Sequence, residues 1–195
     1  YQYAQLFSMK VRVAYLKNNQ SNTYIITNRN SDNPLLRQLQ SLALIRNKHI
    51  PMNYLANSRE IRLRLLAGLA DSDGYVNKTS YQFVFKNQAL AEDVTYLCRS
   101  LGFSAYIGVV EKSIKETGFK GTYYQVGVSG DLSIVPAAIP RKRCPPRRQI
   151  KDVLTTGIRK IVPEGPGDYY GFNLDGNHRF LLGDFTVTHN TFAGI

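Results

Sequence analysis

Leu66-Ala67-Gly68-Leu69-Ala70-Asp71-Ser72-Asp73-Gly74 closes a run with helical composition that begins at Arg59. Ser58 stands where a helix N-cap belongs, because its hydroxyl can accept from an otherwise unpaired backbone N–H. Gly74 lets the chain leave the helix sharply. Reading outward, Tyr75-Val76 and Tyr81 to Phe85 alternate as strands around a turn at Asn77-Lys78. A second helix is predicted over Leu90 to Leu101, stopped by Gly102. Strands follow at Ala105 to Val110 and Tyr123 to Val128, joined by a charged hairpin containing Gly118 and Gly121. The order over roughly 58–140 is helix, strand, strand, helix, strand, strand.

Before this zone, Val11 to Tyr15 and Tyr24 to Thr27 read as strands. Leu35, Leu36, Leu39, Leu42 and Ala43 carry an amphipathic helical spacing behind the cap Asn33-Pro34. After it, residues 150–190 read as short β segments: Ile158 to Val162, Tyr169 to Leu174, Arg179 to Leu182 and Phe185 to Thr188. Turns at 163–167, 175–177 and 183–184 separate them. The basic, proline-containing stretch 136–148 reads as a linker.

The 195 residues carry a net charge of +11, with 43% hydrophobic and 20% charged residues, as a globular domain with a partner of opposite charge would. Much of the excess lies in one stripe of Arg141, Lys142, Arg143, Arg147, Arg148, Lys151, Arg159 and Lys160, opposed by Asp152 alone. Such a stripe points to nucleic acid. Cys98 and Cys144 have no CxxC partner, which excludes a disulfide framework or a cysteine-rich zinc site and suits a reducing, cytoplasmic setting. No apolar run reaches the roughly 20 residues of a membrane span.

The nine residues 66–74 resemble the LAGLIDADG signature of homing endonucleases, departing from it at Ala70 and Ser72. Lys48-His49-Ile50-Pro51 and Tyr54 to Arg59 resemble the block that precedes the second copy of that signature. The resemblance implies an αββαββ half-fold that lays a curved sheet in the DNA major groove. Ala67 and Gly68 would let two such helices cross closely, and Asp73 would face a scissile phosphate and bind Mg2+. Tyr81, Gln82, Lys86, Lys112, Lys115, Lys120, Tyr123 and Gln125 are candidate sheet or loop contacts to DNA. Lys48 falls where the family often carries a basic residue. Ala70 weakens helix packing relative to a larger apolar residue. One signature copy is present where a single-chain enzyme needs two.

The chain's last segment carries a second resemblance. Tyr169 to Leu174, His178 to Leu182 and Asp184 to Asn190 resemble the two C-terminal blocks of inteins, with Gly171 where many members carry an acid or cysteine. The resemblance implies that the Asn190 carboxamide attacks its own main-chain carbonyl, closing a succinimide and cleaving the bond to Thr191. His189 and His178 would assist as acid or polarising group. Thr191 would be the extein nucleophile. Inteins also need a first-residue cysteine or serine and a Thr-x-x-His block. Tyr1 is neither, and His49, His178 and His189 have other placements.

Together these similarities identify the chain as the C-terminal portion of a LAGLIDADG-containing, Hint-type intein. The expected fold is α+β: an endonuclease half-domain followed by C-terminal strands of an all-β Hint splicing domain. Residues 1–45 would be the tail of the first repeat, 46–140 the second repeat, 141–190 the splicing part and 191–195 the start of the C-extein. Expected partners are the missing N-terminal intein segment, a host extein and double-stranded DNA contacted by Arg141, Lys142, Arg143, Arg147 and Arg148. Splicing needs no cofactor, whereas DNA cleavage would need Mg2+ at Asp73. Thr191-Phe192-Ala193-Gly194-Ile195 resembles the start of the helix after the Gly-Lys of a P-loop, so the host would be a P-loop ATPase. The alternative is a DNA-cleaving endonuclease with a vestigial splicing segment.

Overall fold

A computed structural model describes residues 2–15, 22–28, 33–114, 118–150, 160–168 and 170–190. The chain divides into two compact units, Tyr1–His49 and Ile50–Ile195.

The first unit contains α1 (Gln2–Leu6) and the antiparallel strands β1 (Lys10–Ala14) and β2 (Thr23–Thr27), with Val11 opposite Ile26 and Val13 opposite Tyr24. Its second helix, α2, runs Pro34–Ser41. Asn33 Oδ1 accepts from Leu36 N–H at 3.0 Å, as the cap reading requires. No residue of α2 is buried, although its apolar spacing is clear. Only Ala4 and Met9 are buried apolar residues among those described in this unit. A segment this short offers little core to cover an amphipathic face.

The second unit opens with α3 (Met52–Leu55) and α4 (Arg59–Ser72). Ser58 Oγ accepts from Ile61 N–H at 3.4 Å. Strands β3 (Tyr75–Asn77) and β4 (Ser80–Phe85) follow, with Lys78 in the left-handed region at the turn. Helix α5 (Gln88–Ser100) is capped by Asn87. It ends with Gly102 at φ +92, Gly102 N–H on Arg99 O at 2.9 Å and Phe103 N–H on Cys98 O at 3.0 Å, a glycine-dependent helix stop. Strands β5 (Ser104–Ile114) and β6 (Phe119–Ser129) complete a four-stranded antiparallel sheet of order β3-β4-β6-β5. The predicted αββαββ order is therefore present, and its strands run longer at the hairpin than the apolar pattern marks. The ladder continues through Glu111 opposite Thr122 and Lys112 opposite Gly121, beyond the reach of β4, which pairs no further than Tyr124.

Register sorts the two faces of the sheet. Tyr81, Phe83 and Phe85 of β4, with Val126 and Val128 of β6 and Ala105 of β5, turn into a core shared with Leu66, Ala67 and Ala70 of α4 and Ala91, Val94, Leu97 and Cys98 of α5. The alternating positions form rows across the other face: Gln82, Gly127 and Tyr106, then Val84, Gln125 and Gly108.

Three expectations need correction here. Residues 136–148 are not a free linker. They include a turn of 3-10 helix at Pro140–Lys142 and the buried residues Ala137 and Cys144, because polar groups at the end of α4 bind them. Among described residues, 160–162 and 170–174 form no strand and pair with no other described strand; 158, 159 and 169 lie outside the described residues. The terminal strands are β7 (Arg179–Leu181) and β8 (Val187–His189), and β8 starts late because Phe185 is left-handed at φ +70.

Candidate functional site

The end of α4 separates two neighbouring acids. Asp71 accepts Ala138 N–H at 2.8 Å on Oδ2 and Ile139 N–H at 3.0 Å on Oδ1. Asp73 caps the helix, its N–H on Leu69 O at 2.9 Å, and its exposed side chain has no hydrogen bond among the described residues. Only Asp73 is left to face a phosphate or a cation. Gly74 is sterically required, since a Cβ there would lie 2.7 Å from Ala70 Cα and 2.8 Å from Ala70 O. Gly68 differs, with nothing within 4 Å of a Cβ built on it. The helix is thus open at Gly68, whereas Ala67, the other small residue expected at a helix crossing, is buried in the core of this unit. Ala70 is fully buried.

The strap that Asp71 holds brings a basic group to this corner. Lys142 Nζ donates to Gly74 O, next to Asp73. Its own carbonyl accepts from Tyr81 Oη at 2.7 Å. Burial pushes the Tyr81 phenol well above its ordinary range, so it stays protonated and donates. Arg143 Nε donates to Ala137 O at 2.8 Å, and Arg147 Nη1 to Thr79 Oγ1 at 3.0 Å. Three of the five cations assigned to DNA therefore donate hydrogen bonds within the chain, although Arg143 and Arg147 are exposed, as Arg141 and Arg148 are. Tyr81 also leaves the set of sheet contacts, being buried on the helix side. Gln82 and Gln125 stay on the open face, and Lys115 lies outside the described residues. Lys48 belongs to the first unit.

At the other candidate centre, β7 and β8 pair with Arg179 opposite His189, Phe180 opposite Thr188 and Leu181 opposite Val187. Asn190 N–H extends the ladder by donating to His178 O at 2.7 Å. The His178 and His189 rings stand 5.9 Å apart at 63°. The Asn190 Nδ2 donates to Phe172 O, and the Phe172 ring meets Phe180 edge-on at 4.9 Å. His178 adopts φ +54, after a turn in which Asn177 Oδ1 accepts Arg179 N–H at 3.1 Å. The hairpin thus gathers Asn190, His189 and His178; Thr191 lies outside the described residues. Asp184 and Thr186 close the opposite end, Oδ1 accepting Thr186 N–H at 2.9 Å. That bond, first among several, holds the Asp184 carboxyl below its usual range.

Asp71 was not legible as a site residue, and Lys142 was read only as a DNA contact, not as a partner of the α4 end. Both act through partners nearly seventy positions away in sequence, and the only hint was the acidic spacing Asp71-Ser72-Asp73.

Residues 49–135 match the homing endonuclease family. Over 169 residues the chain is 31% identical to the replicative DNA helicase DnaB of Mycobacterium intracellulare, covering 83% of this chain and 29% of that protein. It is 32% identical over 168 residues to the ATP-dependent DNA helicase Hel308 of Thermococcus kodakarensis, covering 76% and 14%. It is 27% identical over 154 residues to the homothallic switching endonuclease of Saccharomyces cerevisiae, covering 70% and 26%. The chain spans under a third of the length of these curated relatives. No helix among the described residues is long and apolar enough to cross a membrane.

Proposed function

We propose that this chain, in which residues 49–135 are a homing endonuclease domain, is the C-terminal part of a protein-splicing element that cleaves after Asn190. The observation that carries this reading is the closed end of the β7–β8 ladder, where Asn190 is hydrogen-bonded to His178 O at 2.7 Å and its carboxamide to Phe172 O. Two anchors on one asparagine restrict both its backbone and its side chain, the condition for an intramolecular attack. The Asn190 Nδ2 gives up one proton and forms a bond to the Asn190 carbonyl carbon, the bond to the Thr191 nitrogen breaks, and that nitrogen takes up a proton. His189 or His178 supplies the proton or polarises the carbonyl. Before this cleavage the Thr191 hydroxyl attacks the upstream ester or thioester carbonyl and the thiol or alcohol of the N-terminal segment leaves; after it, the ester joining the exteins rearranges to an amide.

Two relatives support an inserted element. Both are named as DNA helicases, yet the segment they share with this chain includes a domain of the endonuclease family. Helicase action gives such a domain no evident use, whereas an insertion that is spliced out explains its presence. A host that is a P-loop ATPase, resumed at Thr191, agrees with the name of the ATP-dependent relative. An upstream extein that does not end in Gly-Lys would sink that part.

The test is intact mass of the chain carrying a longer C-terminal tag, with and without an N-terminal intein segment supplied as partner. Loss of the tag with a succinimide at Asn190, abolished in Asn190→Ala, is the expected result. Retention of the tag under every complementation would overturn the splicing reading.

The second reading, cleavage of double-stranded DNA, rests on the exposed Asp73, which precedes the Gly74 whose carbonyl accepts from the Lys142 ammonium. A hard cation such as Mg2+ takes carboxylate and water oxygens, and Asp73 fits one part of that donor set. No group of three or more candidate ligands occurs among the described residues, so a second carboxylate would come from another copy of the signature. The open face of Gly68 is where that copy would cross.

A further inference from the structure

The connection from β7 to β8 is the loop Gly183-Asp184-Phe185. Leu182 N–H donates to Thr186 O at 2.8 Å and Phe185 N–H to Leu182 O at 2.9 Å, a turn followed by a bulged left-handed residue. Glycine ordinarily takes that last position, because a side chain there crowds the following carbonyl. Phe185 fills it at φ +70, and its ring is seated rather than solvated. It meets Tyr96 of α5 edge-on, with centroids 4.8 Å apart at 65°.

Arg99 lies three residues further along the same face of α5. Its Nη1 donates to Asp184 O at 3.3 Å and its Nε to Ala105 O at 2.9 Å. Its guanidinium stands 5.9 Å from the Tyr106 ring. One side chain thereby joins the loop, the helix and the edge strand β5. A cleft of about 390 Å³ lies between them, with Thr95 and Ile107 on its wall.

The loop sits at one end of the hairpin and the Asn190–His178 pair at the other, about 16 Å away at ~3.3 Å per residue. Among the described residues the β7–β8 sheet has two strands, and an isolated pair of strands is marginally stable in water. Its order therefore depends on what holds the loop.

We propose that Tyr96 and Arg99 of the endonuclease domain are positioning residues for Asn190 cyclisation, holding the loop 183–185 so that the ladder keeps Asn190 opposite His178. This rests on the splicing reading. It makes the endonuclease domain a structural support of the splicing centre, with Phe185 as the docked anchor.

The experiment follows tag loss by intact mass in the full chain with its N-terminal complement, together with hydrogen–deuterium exchange at Leu182 and Phe185. Tyr96→Ala should slow tag loss about three- to tenfold, the rate equivalent of one aromatic pair, and raise exchange at both amides. Tyr96→Phe keeps the ring and should restore the rate. Leu97→Ala removes a fully buried core side chain and should lower the melting temperature while leaving the rate unchanged well below it. If the wild type sheds its tag and Tyr96→Ala keeps pace, the positioning role fails and splicing stands. If Leu97→Ala slows cleavage as much as Tyr96→Ala, the role is general stability and the proposal fails. A wild type that never sheds its tag removes both readings; exchange unchanged in Tyr96→Ala removes the docking itself.

Discussion

Asp71 and Asp73 stand two residues apart at the end of α4, and only Asp71 is consumed by the fold, binding the N–H groups of Ala138 and Ile139. Asp71→Ala should therefore lower stability by about 1–3 kcal/mol, the worth of charge-assisted bonds that fix a strap, read by urea unfolding. Asp73→Asn should leave the urea midpoint in place and remove any DNA cleavage seen with a complementing repeat and Mg2+. Equal midpoint shifts in the two variants would contradict the division.

The two signature glycines should respond with opposite signs. Gly74→Ala drives a Cβ to 2.7 Å from the Ala70 backbone, where nothing flexible can yield, and should cost about 1–3 kcal/mol. Gly68→Ala meets no atom within 4 Å and should stabilise the chain by roughly 0.5–1 kcal/mol through helix propensity. The same methyl should weaken association with a second signature helix, measurable by titrating a complementing repeat.

Acid should release the loop before the core. The Asp184 carboxyl is held below its ordinary range chiefly by the Thr186 N–H, so its contribution is complete above the unfolded carboxyl's pKa, near ~4. The contribution is lost as pH falls through the lower folded value. Amide exchange at Thr186 should rise in that acid window, and Asp184→Asn should abolish the pH step.

Arg141 and Arg148 should carry more of any phosphate contact than Arg143 and Arg147, whose guanidinium groups already donate to Ala137 O and Thr79 Oγ1. Removing Arg141 and Arg148 should reduce the slope of log affinity against log salt by about 2, at ~0.9 per phosphate, with stability unchanged. Arg143→Ala should lower the melting temperature, since its Nε bond to Ala137 O holds the strap.

Local signals made the central fold legible. Ser58, Gly74 and Gly102 mark the limits of α4 and the end of α5 because caps and helix stops depend on neighbours a few residues away, whereas the Asn87 cap that starts α5 at Gln88 went unread. His178, His189 and Asn190 were picked out by their spacing within the matching blocks, and one hairpin places them near one another. What stayed hidden depends on distant partners. The basic stripe at 141–148 looked like one solvated surface, yet Lys142 and Arg147 find Gly74 and Thr79. Tyr81 looked like a sheet contact until register turned it inward. Strand readings at 160–162 and 170–174 failed because β character needs a paired backbone, which composition does not supply.

The strap sets where this module can be cut. Family similarity ends at residue 135, but Tyr81 Oη reaches Lys142 O and Gln149 Nε2 reaches Gly102 O. A graft trimmed at that boundary would lose Cys144 from its core and leave the Asp71 carboxylate without the two N–H donors it binds. The smallest transplantable cassette therefore runs to about residue 149, and the same dependence limits how far the flanks of the matched segment can be trimmed before Asp71 and Tyr81 lose their partners.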